Sequence, residues 1–385
     1  YYVCTICSVA FKDEEGTQTT TAEMESIPAT GHTEVVDKRV EPTCTEVGLT
    51  EGKHCSVCNG VLVGLEEIPA LGHNMTKTEA VEPTYWAAGN NAYYTCSRCG
   101  KVYKDEAGQA ETTVEAETLE KLASVASGKS GNLNWVLTED GTLTISGEGR
   151  MPDYSTSSVA PWYSKRTKIL SVVVEPGVTG IGSYAFNACM KLVSISLPQS
   201  VNYIGMSAFR DCSKLAEVEI PEGVTSIYSE TFYNCVGLKS VTLPDGLQSI
   251  GGHTYYNYGA FENCSSLKSV IIPEGVTRIV GGTFYNCTSL ESVTLPESLR
   301  VIEDNYNFLG AFKNCSSLKS IIIPEGVTHI GSLSFYDCKN LTNVSIPESV
   351  TGIGWGAFHG CTNLASIIIP DCVTSIGSEA FYGCN

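Results

Sequence analysis

The segment "AFENCSSLKSVIIPEGV", Ala260–Val276, places Cys264 three residues after Phe261 and nine residues before Pro273. The same arrangement recurs along the second half of the chain, with successive cysteines 23, 23, 29, 23, 28, 23, 23 and 23 residues apart. The cysteines that share it are Cys189, Cys212, Cys235, Cys264, Cys287, Cys315, Cys338, Cys361 and Cys384. A repeat with a period in the twenties predicts a solenoid, in which each coil buries its apolar face against its neighbours.

One coil can be followed in "LKSVTLPDGLQSIG", residues 238–251. Val241 and Leu243 flank Thr242, which is the alternation of a half-buried strand, and Pro244 ends that strand because it lacks a backbone donor. Ile250 belongs to a second extended segment. The Ala-Phe-x-x-Cys stretch that follows predicts a helical turn with Phe and Cys on one face. The coils are therefore expected to be mainly β with short helical turns.

Residues 169–385 resemble the BspA-like class of bacterial leucine-rich repeats, because they repeat the Phe-x-x-Cys and the strand-ending proline at this spacing. The resemblance implies a right-handed solenoid at the cell surface that adheres to host or community surfaces. Residues 125–168 look like the capping segment that precedes such repeats. There Leu143 and Ile145 flank Thr144 after a Glu-Asp-Gly turn, which predicts a β-hairpin over the open end of the first coil.

The repeated cysteine could form a disulfide, bind a metal, act as a nucleophile or simply fill space. A column of nine would leave one thiol unpaired, and a column spreads metal ligands apart instead of converging them. A nucleophile needs a neighbouring base, and only His359 lies near any of these positions in the sequence. We therefore expect Cys264 to be a small buried core residue. Cys372 occupies a turn instead, and we expect it to be exposed.

Residues 1–124 use cysteine differently, in three Cys-x-x-Cys pairs within tandem acidic modules of about 41 residues. Gly-His introduces the second and third of these pairs, whereas the first, Cys4 and Cys7, would need a histidine and a further cysteine from before Tyr1. In one module His32 precedes Cys44 by 12 residues, and Cys44 precedes Cys55 by 11, with Cys58 next. His32, Cys44, Cys55 and Cys58 are a ligand set that suits a tetrahedral structural zinc. A local disulfide with an incidental histidine is the alternative.

The following module repeats the same offsets with one change. Tyr85 stands where the third cysteine should be, so that His73, Cys96 and Cys99 form an incomplete set. We expect that site to be weaker or empty. These segments are similar to the short GH/CxxC modules that accompany repeats in bacterial surface proteins. The residues after 105 favour one short helix followed by a flexible linker.

Two of the coils are lengthened at the same point, by "GGHTYYNY" and by "EDNYNFL", and both insertions are rich in tyrosine and asparagine. Rigid aromatic side chains with amide donors are typical of binding loops, although solenoids also tolerate insertions that have no function. The candidate ligand-binding residues are Tyr255, Tyr256, Asn257, Tyr258, Asn305, Tyr306, Asn307 and Phe308.

The composition of the chain argues against several classes of function. A formal charge of −18 argues against nucleic acid as a partner, and no apolar run has the length of a membrane helix. The six histidines lack the partners that a catalytic site requires. We therefore expect a non-catalytic extracellular or cell-surface scaffold that binds a protein or glycan, in a chain that reads as a fragment. The alternative is a spacer region appended to a secreted enzyme whose catalytic domain lies outside this sequence.

Overall fold

The computed structural model describes residues 1–21, 31–251, 258–303 and 309–385. The chain divides into two compact units, Tyr1–Leu122 and Ala123–Asn385. Both are built from short β-strands. Within the described ranges, helix is limited to α1 (Val114–Glu117) and a 3₁₀ turn at Tyr163–Lys165, and no helix has the length and apolar composition needed to cross a bilayer.

The strands of the first unit are β1 (Tyr2–Val3), β2 (Ala10–Phe11), β3 (Thr19–Thr20), β4 (Glu34–Asp37), β5 (Gly48–Leu49), β6 (Gly52–Cys55), β7 (Val61–Val63), β8 (Glu67–Ile68), β9 (Met75–Thr78), β10 (Gly89–Asn90), β11 (Tyr93–Cys96), β12 (Val102–Tyr103), β13 (Glu111–Thr112) and β14 (Thr118–Leu119). They form small antiparallel sheets with the strand orders β1-β2-β3, β4-β6-β7, β5-β8, β13-β12-β11-β9 and β10-β14. Among the described residues of this unit, the buried apolar side chains are Cys55, Cys96 and Tyr103. Its hydrophobic core is therefore very small.

The second unit begins with an antiparallel meander and continues as parallel coils. The strands of its beginning are β15 (Ala126–Ser130), β16 (Leu133–Leu137), β17 (Thr142–Ser146), β18 (Gly149–Arg150), β19 (Ser171–Val174) and β20 (Val178–Ile181). In the coils that follow, the first strands are β21 (Ser194–Ser196), β23 (Glu217–Glu219), β25 (Ser240–Thr242), β27 (Ser269–Ile271), β29 (Ser292–Thr294), β31 (Ser320–Ile322) and β33 (Asn343–Ser345). The second strands are β22 (Tyr203–Ile204), β24 (Ser226–Ile227), β26 (Ser249–Ile250), β28 (Arg278–Ile279), β30 (Val301–Ile302), β32 (His329–Ile330), β34 (Gly352–Ile353) and β35 (Ser375–Ile376).

Successive coils pair their equivalent strands in parallel. The second strands form one seven-stranded sheet from β24 to β35. From β23 onward the first strands pair two by two, β23 with β25, β27 with β29 and β31 with β33, in register between equivalent residues, as in Val270 opposite Val293. The prediction of a mainly β solenoid with two extended segments in each coil is therefore confirmed. The handedness of the solenoid remains a prediction.

The core of the solenoid is a continuous stack of phenylalanine rings. The rings from Phe186 to Phe381 follow one another with centroids 5.2 to 5.5 Å apart and planes tilted by only 2° to 16°. Trp162 extends the stack below Phe186, at 5.8 Å. Offset aromatic stacking adds stabilisation to the large apolar area that each ring buries. The fold therefore depends on contacts between coils, as expected of a repeat array.

The Ala-Phe-x-x-Cys stretch differs from the prediction, because it forms a chain of hydrogen-bonded turns and not a helical turn. The amides of Phe261 and Asn263 donate to carbonyls of the next coil, Thr283 and Tyr285, so they are not available for helical bonds. Asn263 also has a φ of 63°, in the left-handed region that interrupts a right-handed helix. The Phe and Cys side chains nevertheless both point inward.

Before the first coil, β16 and β17 form an antiparallel hairpin around the Glu-Asp-Gly turn, and β17 then pairs in parallel with β19. The capping function of this hairpin remains a prediction. The one short helix expected after residue 105 is present, but the flexible linker expected after it is wrong over Ala126–Ser130. α1 has only four residues, Val114–Glu117, and the Ala126–Ser130 stretch is strand β15, paired with β16.

Candidate functional site

The repeated cysteines lie inside the solenoid, where their thiols are buried and unreactive. Cys264 is fully buried, and its thiol donates to the backbone carbonyl of Phe232 in the preceding coil, with 3.2 Å between sulfur and oxygen. From Cys212 onward each column thiol makes the equivalent contact, at 3.1 to 3.3 Å. Burial raises the pKa of Cys264 well above its usual value, which suppresses the thiolate that a nucleophile or metal ligand requires. Cys372 is exposed, as predicted.

The outward face of the first strands carries a row of unusually exposed apolar side chains. Ile271, Ile322 and Ile368 have 71%, 74% and 84% of their surface accessible, although isoleucine is normally buried. Ile271 and Ile322 are the last residues of β27 and β31, and Ile368 holds the equivalent place in its coil. Between them the row carries Thr294 and Ser345, which pair with the isoleucines across the sheet. The row therefore alternates apolar and hydroxyl side chains.

Of the eight candidate residues in the two inserted loops, seven lie outside the described residues. These are Tyr255, Tyr256, Asn257, Asn305, Tyr306, Asn307 and Phe308. Tyr258 is described, and its exposed ring lies 5.0 Å from that of Tyr233. The guanidinium of Arg210 stands 4.5 Å above Tyr233, so that the end of the first insertion joins an aromatic and cationic cluster.

Two acidic side chains, Glu230 and Glu262, lie near Arg210. Arg210 forms an ion pair with Glu230, which also accepts a hydrogen bond from Ser207 at 3.0 Å. Glu262 is buried and accepts a hydrogen bond from the amide of Gly259, 3.0 Å away. Burial raises the pKa of Glu262 to about 7. This carboxyl therefore changes its protonation close to neutral pH.

In the first unit seven cysteine and histidine side chains form two clusters that differ from the expected ligand set. His32, Cys55 and Cys58 lie together, with 3.6 Å between His32 Nδ1 and Cys58 Sγ. The amides of Cys58 and Val57 lower the pKa of Cys55 to about 6, which favours its thiolate. Cys44, expected as the fourth ligand here, does not join this cluster.

Cys44 lies in the second cluster, with His73, Cys96 and Cys99. Its sulfur is 3.9 Å from Cys96 Sγ, and His73 Nδ1 is 3.7 Å from Cys99 Sγ. The set that lacked a cysteine in the sequence therefore has four ligands in the structure. Sequence spacing missed this exchange. The signal that could have found it was Tyr85, because a module that lacks its own third cysteine can take one from the module before it.

Comparisons with known proteins agree with the solenoid. The profile of the family described as "BspA type Leucine rich repeat region" matches residues 161–259 and 256–385, in six copies. No curated protein gives a match.

Solved structures that resemble the chain are leucine-rich repeat proteins of bacteria. One is a leucine rich cell surface protein from Faecalibacterium prausnitzii, with 25% identity over 68% of this chain and 87% of that one, at a TM-score of 0.34. Another is the leucine rich repeat protein of T. pallidum, with 26% identity over 62% of this chain and 91% of that one, at a TM-score of 0.36. A third is a leucine-rich repeat protein from Eubacterium ventriosum, with 22% identity over 68% and 95%, at a TM-score of 0.30.

The family profile spans more than half of the sequence, and its residues are those that form the stacked phenylalanines and parallel coils. The chain is therefore a leucine-rich repeat protein that belongs to the BspA type.

Proposed function

We propose that this protein is a non-catalytic scaffold of the cell surface or extracellular space that adheres to a protein or glycan through its solenoid. The row of exposed isoleucines on the strand face, Ile271, Ile322 and Ile368, carries this proposal. Isolated exposed apolar residues are ordinary, but three at the same position of alternate coils, separated only by Thr294 and Ser345, form an organised row. Ser269, Ser292 and Ser320 flank this row with short polar side chains, which suits contact with another folded protein.

The inserted loops are the second part of the proposed binding surface. Tyr258 and Tyr233 present adjacent rings beside Arg210, an arrangement that stacks on apolar or sugar-ring surfaces at a small cost in side-chain entropy. We include Tyr255, Tyr256, Asn257, Asn305, Tyr306, Asn307 and Phe308 in this surface on the composition of the loops.

Binding to arrays of matrix proteins and glycans tests the proposal. Replacing Ile271→Thr, Ile322→Thr and Ile368→Ser introduces residue types that other coils carry in this row, so the fold should be unaffected. Burying one isoleucine at an interface contributes about 1.5 kcal/mol, which is about tenfold in affinity. The triple variant should therefore bind its protein ligand at least about tenfold more weakly.

A matched control is Met190→Thr with Val236→Thr, which removes exposed apolar surface outside the strands and should leave affinity unchanged. A third variant shortens both insertions to the Ile-Gly-x-x-Ala-Phe form. If binding to every ligand survives in that variant, the loops are not part of the site. If it also survives in the isoleucine variant, the strand face is not the adhesive surface.

The second candidate is a repeat region attached to a secreted enzyme. The modular first unit, a tandem array of short cysteine segments beside the repeats, is the feature that favours it. The complete reading frame separates the two functions. A hydrolase domain in the same polypeptide would support the second, and an anchor with further repeats would support the adhesin.

A further inference from the structure

We propose that a structural Zn²⁺ joins two successive cysteine modules, held by Cys44 of one module and by His73, Cys96 and Cys99 of the next. The four ligand atoms lie within 4.8 Å of one another. Three thiolates and one imidazole are a ligand set typical of closed structural zinc sites. The expected set, with Cys44 beside His32, keeps every ligand within one module and does not describe this geometry.

The distances match a tetrahedral ion. Zinc–sulfur bonds of about 2.3 Å in tetrahedral geometry hold two sulfurs about 3.8 Å apart, and a sulfur and an imidazole nitrogen about 3.5 Å apart. The observed separations are 3.9 Å between Cys44 and Cys96 and 3.7 Å between Cys99 and His73. A disulfide would need sulfurs about 2.05 Å apart. The cluster therefore has the dimensions of a metal site and not of a crosslink.

The backbone brings Cys44 to this position independently of the side chains. The amide of Leu71 donates to the carbonyl of Thr43 at 2.9 Å, and the amide of Gly72 donates to the carbonyl of Cys44 at 3.1 Å. The Gly-His stretch that opens one module is thereby fixed against the Pro-Thr-Cys loop of the module before it. His73 follows directly, so both residues face the same Cys-x-x-Cys turn.

The small core of the first unit explains why such a site would matter. Its buried apolar side chains in the described ranges are Cys55, Cys96 and Tyr103, which is too few to fix the modules. Because such a ligand set comes together only in the folded chain, the free energy of zinc binding adds directly to the free energy of folding. The metal would thus hold the two modules together. The series of shared sites would end there, because the later module has Tyr85 in place of the cysteine that it would supply to a following module.

The His32, Cys55 and Cys58 cluster has three ligands among the described residues, and so provides an internal comparison. We expect it to bind zinc more weakly than the four-ligand cluster. The two clusters can be measured in the same full-length chain.

Cobalt substitution tests the ligand set, because the sulfur-to-cobalt charge-transfer band grows with the number of thiolates. In the full chain titrated with Co²⁺, the first equivalent should give a tetrahedral spectrum with three thiolates. The variant Cys44→Ser should lower that intensity by about one third, while His32→Ala should leave the first equivalent unchanged. If His32→Ala removes the band and Cys44→Ser retains it, the proposal is wrong.

A second measurement needs no variant and therefore does not depend on the folding of one. Full-length protein stripped of metal is given substoichiometric Zn²⁺, alkylated with iodoacetamide and mapped by mass spectrometry. Cys44, Cys96 and Cys99 should be protected together, ahead of Cys55 and Cys58. Protection of Cys44 together with Cys55 and Cys58, or no protection by zinc at all, would overturn the shared site.

Discussion

Replacing Cys264 with alanine isolates the role of the repeated cysteine. Its sulfur is fully buried and donates to the carbonyl of Phe232 at 3.2 Å. Removing an apolar group of about this size costs about 1 kcal/mol in transfer free energy, and the weak S–H bond contributes about 0.5–1 kcal/mol more. We therefore expect Cys264→Ala to lower the free energy of unfolding by about 2 kcal/mol.

A larger loss is not expected, because the carbonyl would not be left without a donor. The amide of Cys235, in the same coil as Phe232, donates to the same oxygen at 3.2 Å and remains in the variant. The penalty of about 1–3 kcal/mol for an unsatisfied buried acceptor therefore does not apply. This second donor distinguishes the column from a buried polar pair, in which each group depends on the other.

Urea unfolding followed by tryptophan fluorescence measures the effect, with two matched cysteine variants as controls. Cys372→Ala removes an exposed thiol and should change stability by less than about 0.5 kcal/mol. Cys384→Ala makes the same change where the thiol is only half-buried, and should cost less than Cys264→Ala. In the native protein iodoacetamide should label Cys372 and spare Cys264. A cost near zero for Cys264→Ala, or rapid labelling of its thiol, would refute the assignment to the core.

Two further predictions concern the same core. Phe284→Ala removes a fully buried ring whose centroid lies 5.4 Å from a ring on each side, and it should lower the free energy of unfolding by about 3–5 kcal/mol. Phe381→Ala, at a half-buried ring of the last coil, should lower it clearly less in the same urea assay. Equal losses would contradict a cooperative stack. The ordinary pKa of the Glu262 carboxyl is 4.5, and burial raises it to about 7 in the folded protein. Between these values the folded protein therefore binds one proton more than the unfolded chain. The free energy of unfolding is consequently highest below about pH 4.5 and falls as the pH rises through about 7. Glu262→Gln, which keeps an acceptor for Gly259, should therefore stabilise the protein by about 3 kcal/mol at pH 8 and hardly at all at pH 4, and a pH-independent effect in urea unfolding would show that the carboxyl does not titrate in this range.

The repeat period and the inward positions of the coil were predictable from the sequence. The 23-residue spacing specifies which residues meet, because equivalent positions of neighbouring coils must stack once the period is fixed. This is why the burial of Phe261 and Cys264 could be deduced without coordinates. The hydrogen bond from Cys264 to Phe232 could not be deduced, because it depends on the turn that brings one coil's carbonyl under the next coil's thiol.

The proposed zinc ligands show where sequence spacing is insufficient. The offset between His32, Cys44 and Cys55 describes distance along the chain, but it does not say toward which neighbour a loop folds. In a tandem array the same ligand can serve its own module or the next, and both assignments have identical spacing. The position of Cys44 Sγ, 3.9 Å from Cys96 Sγ, and the hydrogen bonds of Leu71 and Gly72 to the Pro-Thr-Cys loop separate the two.

In each coil, the residues that stabilise the fold are different from those proposed to bind a ligand. Its inward positions hold Phe, Cys, Leu and Val in nearly every copy, and these carry the stabilisation by stacking and burial. The outward row varies freely among Glu219, Thr242, Ile271, Thr294 and Ser345, although all of these stand at the same place in their strands. Exposed strand positions change stability by only a fraction of a kcal/mol, about 0.5 or less. The row can therefore change its chemistry without loss of the solenoid.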